Sequence, residues 1–168
     1  MKPTDIVVTP QGARFMGRRF PCAIGRGGIT KAKREGDGAT PAGTHRFQGM
    51  LYRRDRLARP AYWALPLGPS DLWSDDPQDP AYNLYTRRPH AFRHERLHRP
   101  DPLYDLILLT DWNWPDATPG HGSAIFVHVW RKPRHPTAGC VAFARKDLVW
   151  IAARIRHETR LIVQASEV

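Results

Sequence analysis

Cysteine is nearly missing: the 168 residues hold two, Cys22 and Cys140. Two thiols make no disulfide framework, so the fold has to rest on its apolar core. Long apolar runs are lacking too. Met1 to Thr9 contains Asp5 and only the short group Ile6-Val7-Val8; as written, the chain reads as soluble, with no visible signal peptide and no membrane span. Acidic residues number 16 against 26 Lys and Arg, and the net charge of +10 implies attraction to polyanions such as nucleic acid, anionic lipid surfaces or acidic cell-wall polymers, without choosing among them. No internal repeat or low-complexity tract interrupts the chain. With 41% hydrophobic residues, this length predicts one globular domain, 1–168, large enough to bury its own core.

What is present is concentrated between Gly120 and Arg145, GHGSAIFVHVWRKPRHPTAGCVAFAR. Cys140 sits in the tight turn Thr137-Ala138-Gly139-Cys140, and His128 lies twelve residues upstream on the apolar run Ser123 to Trp130. That run is apolar on both alternating faces, which predicts a central strand covered on each side and makes a histidine within it notable. A thiol beside an imidazole is a nucleophile with a base. Small residues before Cys140 would let a carbonyl approach the backbone, so that the N–H groups of Gly139 and Cys140 hold a developing oxyanion. A plainer account serves the same residues: Cys140 as a small buried hydrophobe and His128 as a satisfied core histidine.

The stretch resembles the catalytic signature of the L,D-transpeptidases, the YkuD-type domain, in which a histidine on one strand serves the cysteine of an S/T-x-G-C motif. By that resemblance the base falls on His128, the Ser/Thr on Thr137, the glycine on Gly139 and the nucleophile on Cys140. Ala138 and Ala142 stand where many members carry His and Asn, and the loop from His128 to Cys140 is shorter than in many members. A second segment, Lys33 to Thr44 (KREGDGATPAGT), resembles the family's K-x-x-GDG-x-TP-x-G. Its Gly, Asp and Pro spacing by itself reads as a tight loop entering a strand.

The resemblance implies a peptidoglycan-crosslinking enzyme. Cys140 would attack the amide before the terminal D-Ala of a tetrapeptide stem, remain as a thioester, and pass the acyl group to an acceptor stem amine in a 3-3 or 1-3 link. It also implies that Nδ1 of His128 donates to a backbone carbonyl such as that of Val129, that Thr137, Ser123 and Arg145 face substrate, and that carbapenems acylate Cys140. No cofactor or metal is expected. The place of action implied is the periplasm or cell envelope, although no leader is visible. A stem hydrolase on the same fold is one alternative. A non-enzymatic basic module binding nucleic acid is the other, although nucleic acid is not the expected partner.

Around this centre, Cys22 reads as a small buried side chain on a strand that ends in the loop Gly25-Arg26-Gly27-Gly28, which lacks the Lys-Ser/Thr ending of a phosphate loop. Short strands are predicted at His45 to Leu51, Tyr62 to Leu65 and Leu103 to Leu109. Between them, residues 66–102 form an irregular insertion rich in proline and aromatics, whose W-x-DDP…YN arrangement is similar to that of a transpeptidase subgroup in which it borders the cleft. Trp73, Tyr82, Asn83 and Arg87 are its candidate substrate contacts. His94-Glu95-Arg96-Leu97-His98 satisfies the H-E-x-x-H pattern of zinc peptidases, but Pro89 and Pro100 bracket it and the arginines within it repel a divalent ion, so a solvated basic helix is expected instead. Leu148, Ile151, Ala152 and Ile155 mark an amphipathic helix over Lys146 to His157, and Leu161 to Val163 a last strand. The architecture expected is mainly β, a sandwich or partly open barrel of the YkuD-like kind, with one principal C-terminal helix.

Overall fold

The computed structural model of the protein describes residues 1–165, so the last three positions of the expected domain lie outside the described residues. The chain begins with three antiparallel strands, β1 (Ile6–Thr9), β2 (Gly12–Phe15) and β3 (Arg18–Phe20). Met16 and Gly17, both at positive φ, close the turn from β2 to β3, the backbone geometry that matches the twist of a two-residue hairpin. Pro21, which cannot donate to a ladder, separates β3 from β4 (Cys22–Ala23). The short strands β5 (Ile29–Thr30) and β6 (Thr40–Pro41) pair in parallel and bracket the GDG loop, which delivers the chain into the ten-residue β7 (Gly43–Tyr52).

β8 (Leu65–Pro66) adds a short parallel pairing to β7. Next come β9 (Asp71–Ser74), β10 (Tyr85–Arg87) and β11 (His94–Arg96), a small antiparallel sheet with β9 in the middle. β12 (Leu106–Thr110), β13 (Phe126–Val129), β14 (Val141–Phe143), the helix α1 (Arg145–Ala152) and β15 (Arg160–Val163) complete the chain. The main sheet runs β3-β2-β1-β15-β7-β12-β13-β14-β4, with β8 beside β7. Its two edge strands, β3 and β4, are adjacent in sequence, so the sheet curls back on itself into a nearly closed, barrel-like form. The fold is mainly β with one helix, as the patterning predicts.

Strand alternation gives this sheet two different faces. Leu106, Leu108, Val127, Val129, Val141 and Phe143 point to one side and pack in a core with Leu148, Ile151 and Ala152 of α1. Leu51, Ile107, Phe126 and Cys140 point to the other and pack with Trp73, Leu97 and Tyr104 from the insertion and its exit. His128 stands in register between Ile107 on β12 and Ala142 on β14. It belongs to the second face, beneath the insertion.

Four expectations need correcting. Tyr62 to Leu65 is mostly turn, and Tyr62 is exposed, because the Arg59 guanidinium donates to the carbonyls of Tyr62 and Ala64 and holds the chain folded. The helix stops at Ala152: the amide of Arg154 turns back to Ile151 O at 2.9 Å, and Ile155 reaches the core from the turn beyond. The insertion, irregular over most of its length, contains a three-stranded sheet that the patterning does not predict, since strands of three or four residues among prolines carry too little periodicity to be read. Finally, His94 to Arg96 is a strand on β9, with Glu95 opposite Trp73. His94 is on that strand and His98 lies in the bend beyond it, so the two histidines of the H-E-x-x-H pattern do not share the helical face that zinc ligation at i and i+4 requires.

Candidate active site

One ladder brings the cysteine and the histidine to the same face. β13 and β14 run parallel with His128 beside Ala142; Cys140, two residues before Ala142, therefore shares the face on which His128 stands. The Phe126 amide donates to Cys140 Sγ at 3.3 Å, and the thiol donates to Ala124 O at 3.1 Å. Both residues line a cavity of about 580 Å³ that also meets Ser123 and Thr137.

The imidazole is oriented by its own strand. Nδ1 of His128 donates to Val129 O at 2.8 Å. A carbonyl can only accept, so the proton sits on Nδ1 and Nε2 keeps its lone pair. Tyr104 packs edge-on at 5.3 Å between ring centroids. Burial pushes the His128 imidazolium down to about 4 and the Cys140 thiol up to about 12, the Phe126 amide opposing the latter. The resting pair is thus a neutral thiol and a neutral imidazole rather than a preformed ion pair.

The turn before the cysteine is locked from inside. Thr137 Oγ1 accepts from the Gly139 amide at 3.1 Å and donates to Cys140 O at 2.6 Å, while its backbone binds Ile24 O and the Arg26 amide, each at 2.9 Å. Gly139 has φ +139, and a Cβ there would lie 2.9 Å from Ala39 O. Only glycine fits that backbone against that neighbour. Ala39 and the buried Lys33 behind it belong to the GDG segment, whose Asp37 accepts from Lys33 and from the amides of Arg34 and Ala39. Burial works to raise the Asp37 carboxyl, but these donors outweigh it and hold it below its usual range.

Asn83 fixes the opposite rim. Ala124 is held at φ 52, a left-handed conformation costly for a residue with a Cβ. Its amide donates to Asn83 Oδ1 at 3.0 Å, as does the Trp73 indole at 3.0 Å, while Asn83 Nδ2 donates to the carbonyls of Trp112 and Asn113 at 3.0 and 2.8 Å. Glu35 does the same for the preceding residues. It accepts from Tyr82 at 2.5 Å and Ser123 at 2.7 Å, and the Tyr82 hydroxyl accepts from the Gly122 amide at 3.2 Å.

Of the expected substrate contacts, Ser123 and Thr137 line the cavity and the others do not. Trp73, Tyr82 and Asn83 are buried, with their polar atoms spent on internal hydrogen bonds, so they shape the rim rather than offer groups to a ligand. Arg87 projects into solvent beside Asp71, 3.4 Å away. Arg145 is drawn off by the buried Asp105 and donates to Arg56 O at 2.7 Å. In their place the cavity is lined by Glu35, Glu95, Arg99 and Tyr104, none of which stands out in the sequence as a site residue. Glu95 carries a signal only as the central letter of the H-E-x-x-H pattern, where the flanking histidines draw the attention.

No curated protein and no solved structure matches the chain. The family model for the L,D-transpeptidase catalytic domain, YkuD, matches residues 6–163, from the first residue of β1 to the last of β15. That family acts on peptidoglycan stem peptides and is generally associated with the cell envelope. With the match running through every strand that builds the sheet and its cleft, this chain belongs to the YkuD family of L,D-transpeptidase catalytic domains.

Proposed function

We propose that the protein is a cysteine-dependent peptidoglycan L,D-transpeptidase in which Cys140 is the nucleophile and His128 the general base and acid. The observation that carries this reading is the His128 tautomer. With Nδ1 committed to Val129 O, the free lone pair is on Nε2, and His128 lines the same cavity as Cys140. As Sγ attacks the carbonyl carbon of the scissile amide, its proton passes to Nε2; the C–N bond then breaks, and the imidazolium returns that proton to the departing D-Ala amine. A thioester remains on Cys140. Since the Gly139 amide already donates to Thr137 Oγ1, the Cys140 amide is the one assigned to the oxyanion.

The acceptor is a stem amine, giving a 3-3 or 1-3 link. Transfer to water would instead make the protein a stem hydrolase. Work on peptidoglycan places the protein at the cell envelope; among the described residues no helix is long and apolar enough to cross a membrane.

Intact-protein mass after incubation with a carbapenem tests the nucleophile. The wild type is expected to gain one adduct, C140A none, and H128A to gain it about 10²- to 10⁴-fold more slowly, the usual contribution of a positioned base. An adduct that persists in C140A would sink the assignment. Stem tetrapeptide supplied with acceptor then separates crosslinking from hydrolysis: dimer supports the first, and free tripeptide without dimer the second.

A further inference from the structure

Arg14 on β2 and Arg19 on β3 stand directly opposite each other in the antiparallel register, and Val7 of β1 comes next in the same row. Both arginines are exposed. Like charges at opposed positions of neighbouring strands weaken the pairing, and among the described residues no carboxylate forms an ion pair with either to relieve it. A groove of about 410 Å³ is lined by both of them and by Arg134, and none of its described lining residues is acidic. Arg134 Nη1 donates to Gln11 O at 3.1 Å, which fixes the guanidinium beside the turn from β1 to β2 but leaves its charge in place.

A second groove, of about 510 Å³, adjoins the first at Arg19, Phe20, Pro21 and Arg134 and adds Arg18 and Lys146; Asp147 is the one acid among its described lining residues. Trp130 lines this groove and the cavity of Cys140 as well. The cavity itself is mixed in charge, with Glu35, Asp75 and Glu95 against Arg26, Arg99 and Arg131. Beyond Trp130 the balance turns basic. The surface leading away from the nucleophile thus suits an anionic ligand that is longer than one stem.

We infer that these two grooves dock polymeric peptidoglycan, the guanidinium groups of Arg14, Arg19 and Arg134 holding the free carboxylates of stems that neighbour the one reacting at Cys140. The inference rests on the reading of the protein as a peptidoglycan enzyme. Each uncrosslinked stem ends in a carboxylate, a planar anion that a guanidinium fork binds bidentately. The opposed side chains of Arg14 and Arg19 start about 5 Å apart, so one carboxylate can bridge them and turn a repulsion into two attractions. Because the same anion recurs along the polymer, contacts that are weak one by one add up through effective concentration. A soluble stem gains little from such a surface, whereas a cell-wall strand is kept beside the reaction cavity.

Cosedimentation with purified sacculi, stripped of phosphodiester polymers by hydrofluoric acid, tests the docking apart from the chemistry. R14Q/R19Q is expected to bind at least about tenfold more weakly than the wild type, the size of one lost charge-assisted contact. R54Q/R88Q, which removes the same charge from two exposed positions elsewhere, is expected to stay within about threefold, because salt screens distant charges. Carbodiimide amidation of the sacculus carboxylates is expected to abolish wild-type binding. Thermal unfolding of R14Q/R19Q at or above the wild-type Tm, as removal of a like-charge pair requires, separates lost binding from lost folding. Undiminished binding by R14Q/R19Q, an equal loss in R54Q/R88Q, amidated sacculi held as tightly as native ones, or a wild type that sediments with none overturns the inference. Duplex DNA bound more tightly than sacculi at the same salt overturns it too and assigns the grooves to nucleic acid. Carbapenem acylation of Cys140 is a separate readout: a wild type that binds sacculi but gains no adduct overturns the assignment of the nucleophile and leaves the docking surface standing.

Discussion

His128 is the residue on which most of the chemistry turns, and its environment makes a thermodynamic prediction. Burial holds its folded-state pKa at about 4, below the value near 6.5 that an unfolded histidine has. The unfolded chain therefore takes up the proton first as pH falls, so stability is full above about pH 6.5 and drains as pH drops through the interval down to 4. The loss attached to this one group is on the order of 3 kcal/mol. Urea unfolding of the wild type and of H128Q at pH 7.5 and pH 4 measures it as a difference of differences, in which contributions from other groups, such as the buried His45, cancel. Equal losses in the two proteins would mean that His128 is not buried neutral. The same burial explains why a preformed thiolate is not the resting state of Cys140: a thiol pushed up to about 12 gives up its proton only as the new bond forms.

Among the elements, the segment from Gly122 to Phe126 is the one whose shape depends on something distant in sequence. Asn83, forty-one positions before Ala124, makes four hydrogen bonds around it. N83A would leave two donors and two carbonyls without their partner and release Ala124 from its left-handed backbone. A stability loss of about 2–4 kcal/mol and at least tenfold slower acylation by a carbapenem are the expected outcomes, checked by urea unfolding and intact mass. If stability falls and the acylation rate does not, the Ala124 carbonyl has no part in placing the thiol. This insertion is also where sequence reading and structure part most. Its W-x-DDP…YN arrangement is visible in the chain, but as exposed substrate contacts; that Trp73, Tyr82 and Asn83 turn inward follows from where β9 sits, over Phe126 with the Trp73 ring 5.0 Å away and edge-on. A linear string contains no information about which side of a four-residue strand meets a neighbouring sheet.

At the scale of the molecule, Asp105 couples the two sides of the main sheet. It is buried at the start of β12, and it binds Arg56 at 2.8 Å from the loop after β7 and Arg145 from the first turn of α1. D105N leaves two guanidinium groups facing a neutral amide. Because both arginines are partly exposed, water screens much of the cost, and a loss of about 2 kcal/mol is expected. Thermal unfolding checks it, with carbapenem acylation rates nearly those of wild type, since Arg145 lies outside the cavity. A D105N protein crippled in acylation at wild-type stability would return Arg145 to the site.

The sequence by itself determined the kind of molecule and the kind of chemistry. Apolar alternation is a local property, and it marked β7, β12, β13, β15 and the apolar face of α1; the T-x-G-C turn and the GDG loop are legible for a like reason, because the side-chain hydrogen bonds of Thr137 and Asp37 to the backbone close within three residues, although the close approach of Ala39 that demands glycine at 139 is a tertiary contact. Only the tertiary structure decided which of these surfaces meet. The parallel register of β13 and β14, the inward turn of the insertion, the capture of Arg145 by Asp105 and the placing of Glu35 and Glu95 with Tyr104 around the cavity all arise from contacts between residues tens of positions apart. Such contacts are chosen by the balance of burial and charge over the whole fold, and no short window of the chain encodes that balance.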